Sequence, residues 1–128
     1  MVLRSIRSLS CFYSTLSNKY RSPYVPKLIE LDTRYSLVRP EMRVLEIGCY
    51  PGGWTQYLVS KVGSTEENPL VTSIDIQSMN GVPGSNFVHC DISDERSYEE
   101  IEKAIGYQKV DLVFIETITR FVQMHVQK

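Results

Sequence analysis

A chain of 128 residues is long enough for one domain with one core and too short for two ordinary ones. With 42% hydrophobic and 23% charged residues it has the make-up of a soluble globular protein, and no apolar run approaches the length of a membrane span, which argues against an integral membrane protein. The formal charge of −1 hides an asymmetry: residues 1–29 carry Arg4, Arg7, Lys19, Arg21 and Lys27 without one acid, so that nine bases face all 15 acids in the remainder.

The first stretch, "MVLRSIRSLSCFYSTLSNKY", is rich in Arg and Ser, free of acid and punctuated by Val, Leu, Ile and Phe. That is the composition of a mitochondrial transit peptide over residues 1–20, and it implies a mitochondrial matrix protein. Its apolar residues are too broken up for a secretory signal. The other reading of the same composition is a basic tail that touches nucleic acid. Cys11, Cys49 and Cys90 are widely spaced with no C-x-x-C, so a reducing compartment is expected and a disulfide framework is not. Cys90 follows His89, but the other histidine, His125, lies far along the chain, so no metal site is expected.

After the leader, "RSPYVPKLIELDTRYSLV" reads as a short helix with Pro23 and Pro26 near its start, and Leu28, Leu31 and Tyr35 recur at helical spacing. Arg39-Pro40-Glu41 breaks it. Residues 43–48 form a buried strand, and 54–62 a helix with Leu58, Val59 and Val62 turned inward. A turn-rich loop covers 63–69, then strands follow at 70–76 and 86–89. Residues 94–105 form another helix, with Tyr98, Ile101 and Ile105 as its apolar stripe and Gly106 as its C-terminal cap. A last strand spans 110–115. Apolar strands alternating with helices predict a doubly wound α/β fold with a parallel sheet.

In such sheets ligands sit beyond the carboxyl ends of the strands. Three acids fall there: Glu46 in the tail of the first strand, Asp75 ending the second, and Asp91 just after the third. The first loop runs Gly48-Cys49-Tyr50-Pro51-Gly52-Gly53-Trp54, and Gly52 and Gly53 allow a close backbone approach and positive φ. The spacing G-x-x-x-G-G is neither the dinucleotide fingerprint nor a phosphate-cradling P-loop. Asp75 suits ribose hydroxyls, Asp91 an adenine amino group, and an acid-lined cleft suits a cationic sulfonium. Together they point to S-adenosyl-L-methionine. Taken singly, Asp75 could cap a turn, Asp91 could cap the next helix and Trp54 could belong to the core.

"VLEIGCYPGGWTQYLV" resembles the first motif of the FtsJ/RrmJ-type ribosomal RNA ribose 2′-O-methyltransferases, with its Pro51-Gly52-Gly53-Trp54 core followed by Gln56. "SIDIQSM" and "NFVHCDISDE" resemble the second and third motifs, and "RSPYVPKLIELD" the family's lead-in. The resemblance covers about residues 20–116 and implies a Rossmann-like class I S-adenosylmethionine-dependent methyltransferase fold. It implies the N-terminal half of that sheet, in strand order 3-2-1-4, with an exposed apolar edge at the fourth strand. It places Glu46, Gly48, Pro51, Gly52, Gly53, Trp54, Asp75 and Asp91 at the cofactor. The leader suggests the mitochondrial branch.

The family's catalytic group is Lys-Asp-Lys-Glu. Lys27 matches its first lysine, and Glu116 stands where its aspartate is expected, reaching about one methylene further. The segment 117–128 departs from the family pattern, and the later lysine and glutamate strands have no counterpart here. The implied organisation is a leader at 1–20, a partial methyltransferase domain at 21–116 and a divergent tail at 117–128. The implied function is methylation of a ribose 2′-hydroxyl, a uridine being expected, in mitochondrial large-subunit rRNA, with rRNA or the large ribosomal subunit as partner. The competing reading is an inactive fragment or ribosome-assembly factor that binds S-adenosylmethionine or rRNA without methyl transfer. A dinucleotide-binding half-domain is disfavoured by the missing fingerprint. Arg21, Lys27, Arg34, Arg39 and Arg43 form either an RNA-docking face or a solvated one. Nothing in the sequence fixes an oligomeric state.

Overall fold

The structure, a computed structural model, describes residues 19–115. The leader up to residue 18, Glu116 and the tail at 117–128 lie outside the described residues.

Among the described residues three helices and four strands are defined, in chain order α1 (Val25–Tyr35), β1 (Val44–Ile47), α2 (Gly53–Val62), β2 (Val71–Asp75), β3 (Ser85–His89), α3 (Ser97–Ala104) and β4 (Leu112–Ile115). The strands make one four-stranded sheet, all pairs parallel as the alternation predicts, in the order β3-β2-β1-β4 that the resemblance implies. The register sets Val44 beside Val71 and Leu112, and Glu46 beside Ser73 and Phe114, so these side chains share one face.

That face carries the core. Leu28 of α1, Leu58 and Val62 of α2, Val38, Val44 and Val71 form one buried cluster, with Trp54, Tyr57, Leu112 and Phe114 packed against it. On the opposite face, α3 packs beside β3, and the Asn86 amide donates to the Ala104 carbonyl at 3.1 Å. The same face of β4 is bare: Val113 and Ile115 are 46% and 48% exposed. Among the described residues no strand pairs with the outer edge of β4. Within the described residues β4 is thus the outer strand, with an exposed apolar face.

Two helices turn differently from their apolar spacing. In α1 Leu28 is fully buried, but Leu31 and Tyr35 are exposed and Asp32 is buried in their place. The cause is a polar cluster under the helix. The Asp32 carboxylate accepts the Val38 N–H at 2.8 Å and the Tyr57 hydroxyl, with the Lys61 ammonium 4.0 Å away. A buried carboxylate so satisfied takes an inward position that hydrophobicity alone would give to leucine. Burial, then the hydrogen bond and charge of Asp32, push the Tyr57 phenol well above its usual titration range. In α3, Ile101 is buried and Ile105 half-buried, whereas Tyr98 is exposed. Residues 94–96 form a turn instead of helix, because the Asp94 carboxylate takes the Arg96 N–H and guanidinium. Gly106 closes α3 at φ +68°, with its N–H on Lys103 O, in the expected capping position.

The connection from β2 to β3, residues 76–84, holds no helix. It runs alongside α2 and is fixed near its end by Ser64, whose hydroxyl donates to the Gly84 carbonyl and accepts the Leu70 N–H. No helix among the described residues is long and apolar enough to cross a membrane.

Candidate cofactor site at the strand ends

The chain leaves β1 by a sharp bend. Gly48 takes φ +84°, and the N–H groups of Gly48 and Cys49 both donate to the Ile74 carbonyl, at 2.8 and 3.1 Å. The next N–H, that of Tyr50, donates to Oδ2 of Asp75 at 2.8 Å, while Oδ1 accepts the Gln77 N–H at 2.8 Å. Asp75 therefore does cap a turn, and it also ties the end of β2 to the glycine loop. Each of its oxygens keeps capacity for a second hydrogen bond. The Tyr50–Pro51 peptide is cis, and Gly52 takes φ +108° as the N-cap of α2. No side chain caps that helix, which leaves its first-turn N–H groups to other acceptors.

The two adjacent glycines serve different ends. Gly52 needs its left-handed backbone. Gly53 has no such φ, but a Cβ there would lie 2.6 Å from Cβ of Ser22 and 2.8 Å from its backbone nitrogen. The close approach at Gly53 is made by the chain itself, by the lead-in to α1.

That lead-in is laced to the loop. The Arg21 N–H donates to Oε1 of Gln56 at 2.8 Å, which gives the glutamine of the first motif a role. The indole N–H of Trp54 donates to the Tyr24 carbonyl at 3.3 Å, and its ring meets Phe114 edge-on at 6.0 Å. Trp54 is thus a core residue that also anchors α1. Lys27 is exposed in the first turn of α1, three residues after Tyr24, whose carbonyl accepts the Trp54 indole N–H.

Glu46 lies beneath the loop with no exposed surface. Its Oε1 accepts the hydroxyls of Thr55 and Ser73, both fully buried, so it braces β1 against α2 and β2. Asp91 is exposed two residues past β3, and Oδ1 accepts the N–H and hydroxyl of Ser93. Those two bonds hold its carboxyl below the usual range, an acceptor facing solvent. The structure thus gathers Gly48, Pro51, Gly52, Gly53, Trp54 and Asp75 into one unit with Glu46 under it. Asp91 stands on the next strand end, and Glu116 lies outside the described residues. Among the described residues no cluster of histidine, cysteine, aspartate or glutamate could hold a metal ion.

Of the basic cluster, Arg43 is spent within the fold: its N–H donates to Asp111 and its guanidinium to the Ile105 carbonyl. Arg21 is spent likewise, on the carbonyls of Pro51, Asn80 and Gly81. Lys27, Arg34 and Arg39 are exposed, as is Arg21 itself. Sequence reading missed Arg21 as a structural residue, since its partners lie 30 to 60 residues away.

The residues suit a nucleoside-type ligand. A left-handed glycine, an uncapped helix start and an acid on each of two neighbouring strand ends supply N–H donors beside carboxylate acceptors, the set needed by ribose hydroxyls and an adenine amine.

Residues 20–126 match the model of a protein family described as FtsJ-like methyltransferase, a span that runs past Glu116 into the divergent segment. The chain is similar to the ribosomal RNA large subunit methyltransferase E of Mesorhizobium japonicum, 39% identical over 87 residues, which are 68% of this chain and 33% of that one. Its counterpart from Brucella ovis is 38% identical over 94 residues, 73% of this chain and 39% of that one. The chain spans little more than a third of the length of these curated relatives. Among solved structures it resembles a ribosomal RNA methyltransferase from Plasmodium falciparum, at TM-score 0.64 and 27% identity, over 76% of this chain and 56% of that one.

Proposed function

Because the chain belongs to the family of FtsJ-like methyltransferases, we propose that it binds S-adenosylmethionine over the Gly48–Trp54 loop and serves methyl transfer to a ribose 2′-hydroxyl of large-subunit rRNA. The observation that carries the proposal is the Tyr50–Asp75 bond, which fixes a left-handed glycine loop against the acid at the end of β2. Asp75 and Asp91 would hold the ribose and adenine, and the loop and the start of α2 the remaining part. The cofactor, when bound, supplies an electrophilic methyl group on a sulfonium.

This chain's own part is to position and to move a proton. A ribose hydroxyl is a weak nucleophile at neutral pH and must shed its proton as it attacks. Lys27, exposed in the first turn of α1, is the residue assigned to that proton. The exposed Arg34 and Arg39 would meet RNA phosphates. The Arg- and Ser-rich leader supports a mitochondrial matrix location, and a uridine acceptor follows the family resemblance.

One feature favours a second reading, cofactor or rRNA binding without transfer: Glu116, a longer acid, stands where the family resemblance expects an aspartate. Calorimetry of the chain with S-adenosylmethionine, followed by methyl transfer from labelled cofactor to large-subunit rRNA, tests both. Transfer by this chain overturns the second reading. Absence of cofactor binding overturns the first for this form.

A further inference from the structure

Arg21 is exposed, and no carboxylate among the described residues pairs with its charge, yet its guanidinium donates to three backbone carbonyls. Nη1 donates to the Asn80 carbonyl at 2.6 Å and to the Pro51 carbonyl at 3.5 Å, and Nη2 donates to the Gly81 carbonyl at 3.4 Å. Pro51 belongs to the glycine loop; Asn80 and Gly81 belong to the helix-free crossover between β2 and β3. One guanidinium therefore joins two segments that share no direct hydrogen bond among the described residues. Its backbone N–H meanwhile takes Gln56 of α2.

Room for this arrangement is left by Gly52. A Cβ there would stand 3.1 Å from Nη1 and 3.3 Å from Cδ of Arg21, and 3.2 Å from Cγ2 of Val82 in the crossover. The glycine that opens α2 also makes space for the cation that bridges to the crossover. The crossover needs such a bridge. Lacking a helix, its far end is held by Ser64 on Gly84 and its start by Asp75 on Gln77, with Arg21 between them. Asp75 also holds Tyr50, so crossover, glycine loop and Arg21 form a closed circuit around the acid assigned to the ribose.

We infer that Arg21 is a positioning residue for the cofactor loop, stapling it to the β2–β3 crossover and so setting the affinity of the site for the adenosyl group of its ligand. The inference rests on the cofactor reading given above. A planar guanidinium with several donors in a fixed fork meets three carbonyls at once, whereas an ammonium on a flexible stem does not hold the same geometry. Lysine at this position keeps the charge and loses the bridge.

Three forms of the full chain decide the matter: wild type, Arg21→Lys and Arg21→Ala. Amide hydrogen exchange is followed by mass spectrometry and S-adenosylmethionine affinity by calorimetry, with the melting temperature as a check on the fold. The expected result for Arg21→Ala is faster exchange in both 49–56 and 76–84, unchanged exchange in β1 and β2, and about tenfold weaker affinity, about 1.4 kcal/mol. Arg21→Lys recovers only part of each. Wild-type exchange and affinity in a folded Arg21→Ala chain overturn the inference. If that variant does not fold, Arg21→Lys decides alone, and full recovery in it overturns the inference. A wild-type chain that binds no S-adenosylmethionine overturns the cofactor reading instead, and the exchange data still decide whether Arg21 joins the two segments.

Discussion

Tyr50 and Asp75, 25 residues apart, meet through a 2.8 Å bond from a backbone N–H to a carboxylate oxygen. The bond crosses from the loop after β1 to the end of β2, and it makes the shape of the loop depend on an acid in another strand. Asp75 is 8% exposed and accepts a second N–H, from Gln77, so its replacement by alanine leaves two donors without their partner. Asp75→Ala is expected to cost about 2–4 kcal/mol of stability and to weaken S-adenosylmethionine binding by at least tenfold. Asp75→Asn, which keeps one carbonyl oxygen, loses less of both. Urea unfolding and calorimetry on the two variants read the difference; equal loss in both would remove the bonds to Tyr50 and Gln77 from the account.

Gly53 tests the packing of the lead-in. A Cβ placed 2.6 Å from Ser22 forces either α2 or the lead-in to move, so Gly53→Ala is expected to destabilise by about 1–3 kcal/mol. Gly81→Ala, where an added Cβ meets nothing within 4 Å, should change stability by less than about 0.5 kcal/mol. Thermal melts of the pair make the comparison internal to one protein.

Tyr57 sets an alkaline limit. Its phenol is raised by burial and by Asp32, so the folded chain holds that proton more tightly than the unfolded chain does. The stabilisation is complete below the ordinary phenol titration near about pH 10 and is lost as pH rises past it. Urea midpoints at pH 8 and above pH 10 should fall more steeply for the wild type than for Tyr57→Phe. Parallel curves would dismiss the Asp32–Tyr57 contact as a source of pH dependence.

Lys27 separates binding from chemistry. Under the proposed function, Lys27→Ala lowers methyl transfer by about 10²–10⁴-fold and leaves cofactor affinity within about twofold. Single-turnover transfer beside calorimetry gives both numbers, and undiminished transfer takes Lys27 out of the mechanism.

Much of this was legible in the residues. The alternation of apolar strands with helices is a local pattern, and it yielded the parallel sheet, while the order β3-β2-β1-β4 came from the family resemblance. The Pro51–Trp54 loop was legible because its glycines and proline are backbone instructions written at the point of use. The inward face of α1 was not, because Asp32 is drawn in by Val38, Tyr57 and Lys61, partners that no helical periodicity reveals. Nor were the roles of Arg21 and Gln56, or the reason for Gly53: each depends on a contact some 30 residues or more distant. Trp54 and Glu46 were expected at the ligand, and the structure gives both a place in the packing, one against Phe114 and one against Thr55 and Ser73.

The crowding between Gly53 and Ser22 bears on how such sequences are sorted. A glycine kept by a ligand would drift once the ligand was no longer used, whereas a glycine kept by a neighbouring stretch of the same chain persists for as long as the protein folds. Position 53 should therefore vary in concert with position 22 and stay small even in descendants that have stopped methylating anything. A search keyed to the second glycine of this loop collects members by ancestry, and under the proposed function it is Lys27, which the fold does not need, that would divide the working enzymes from the silent ones.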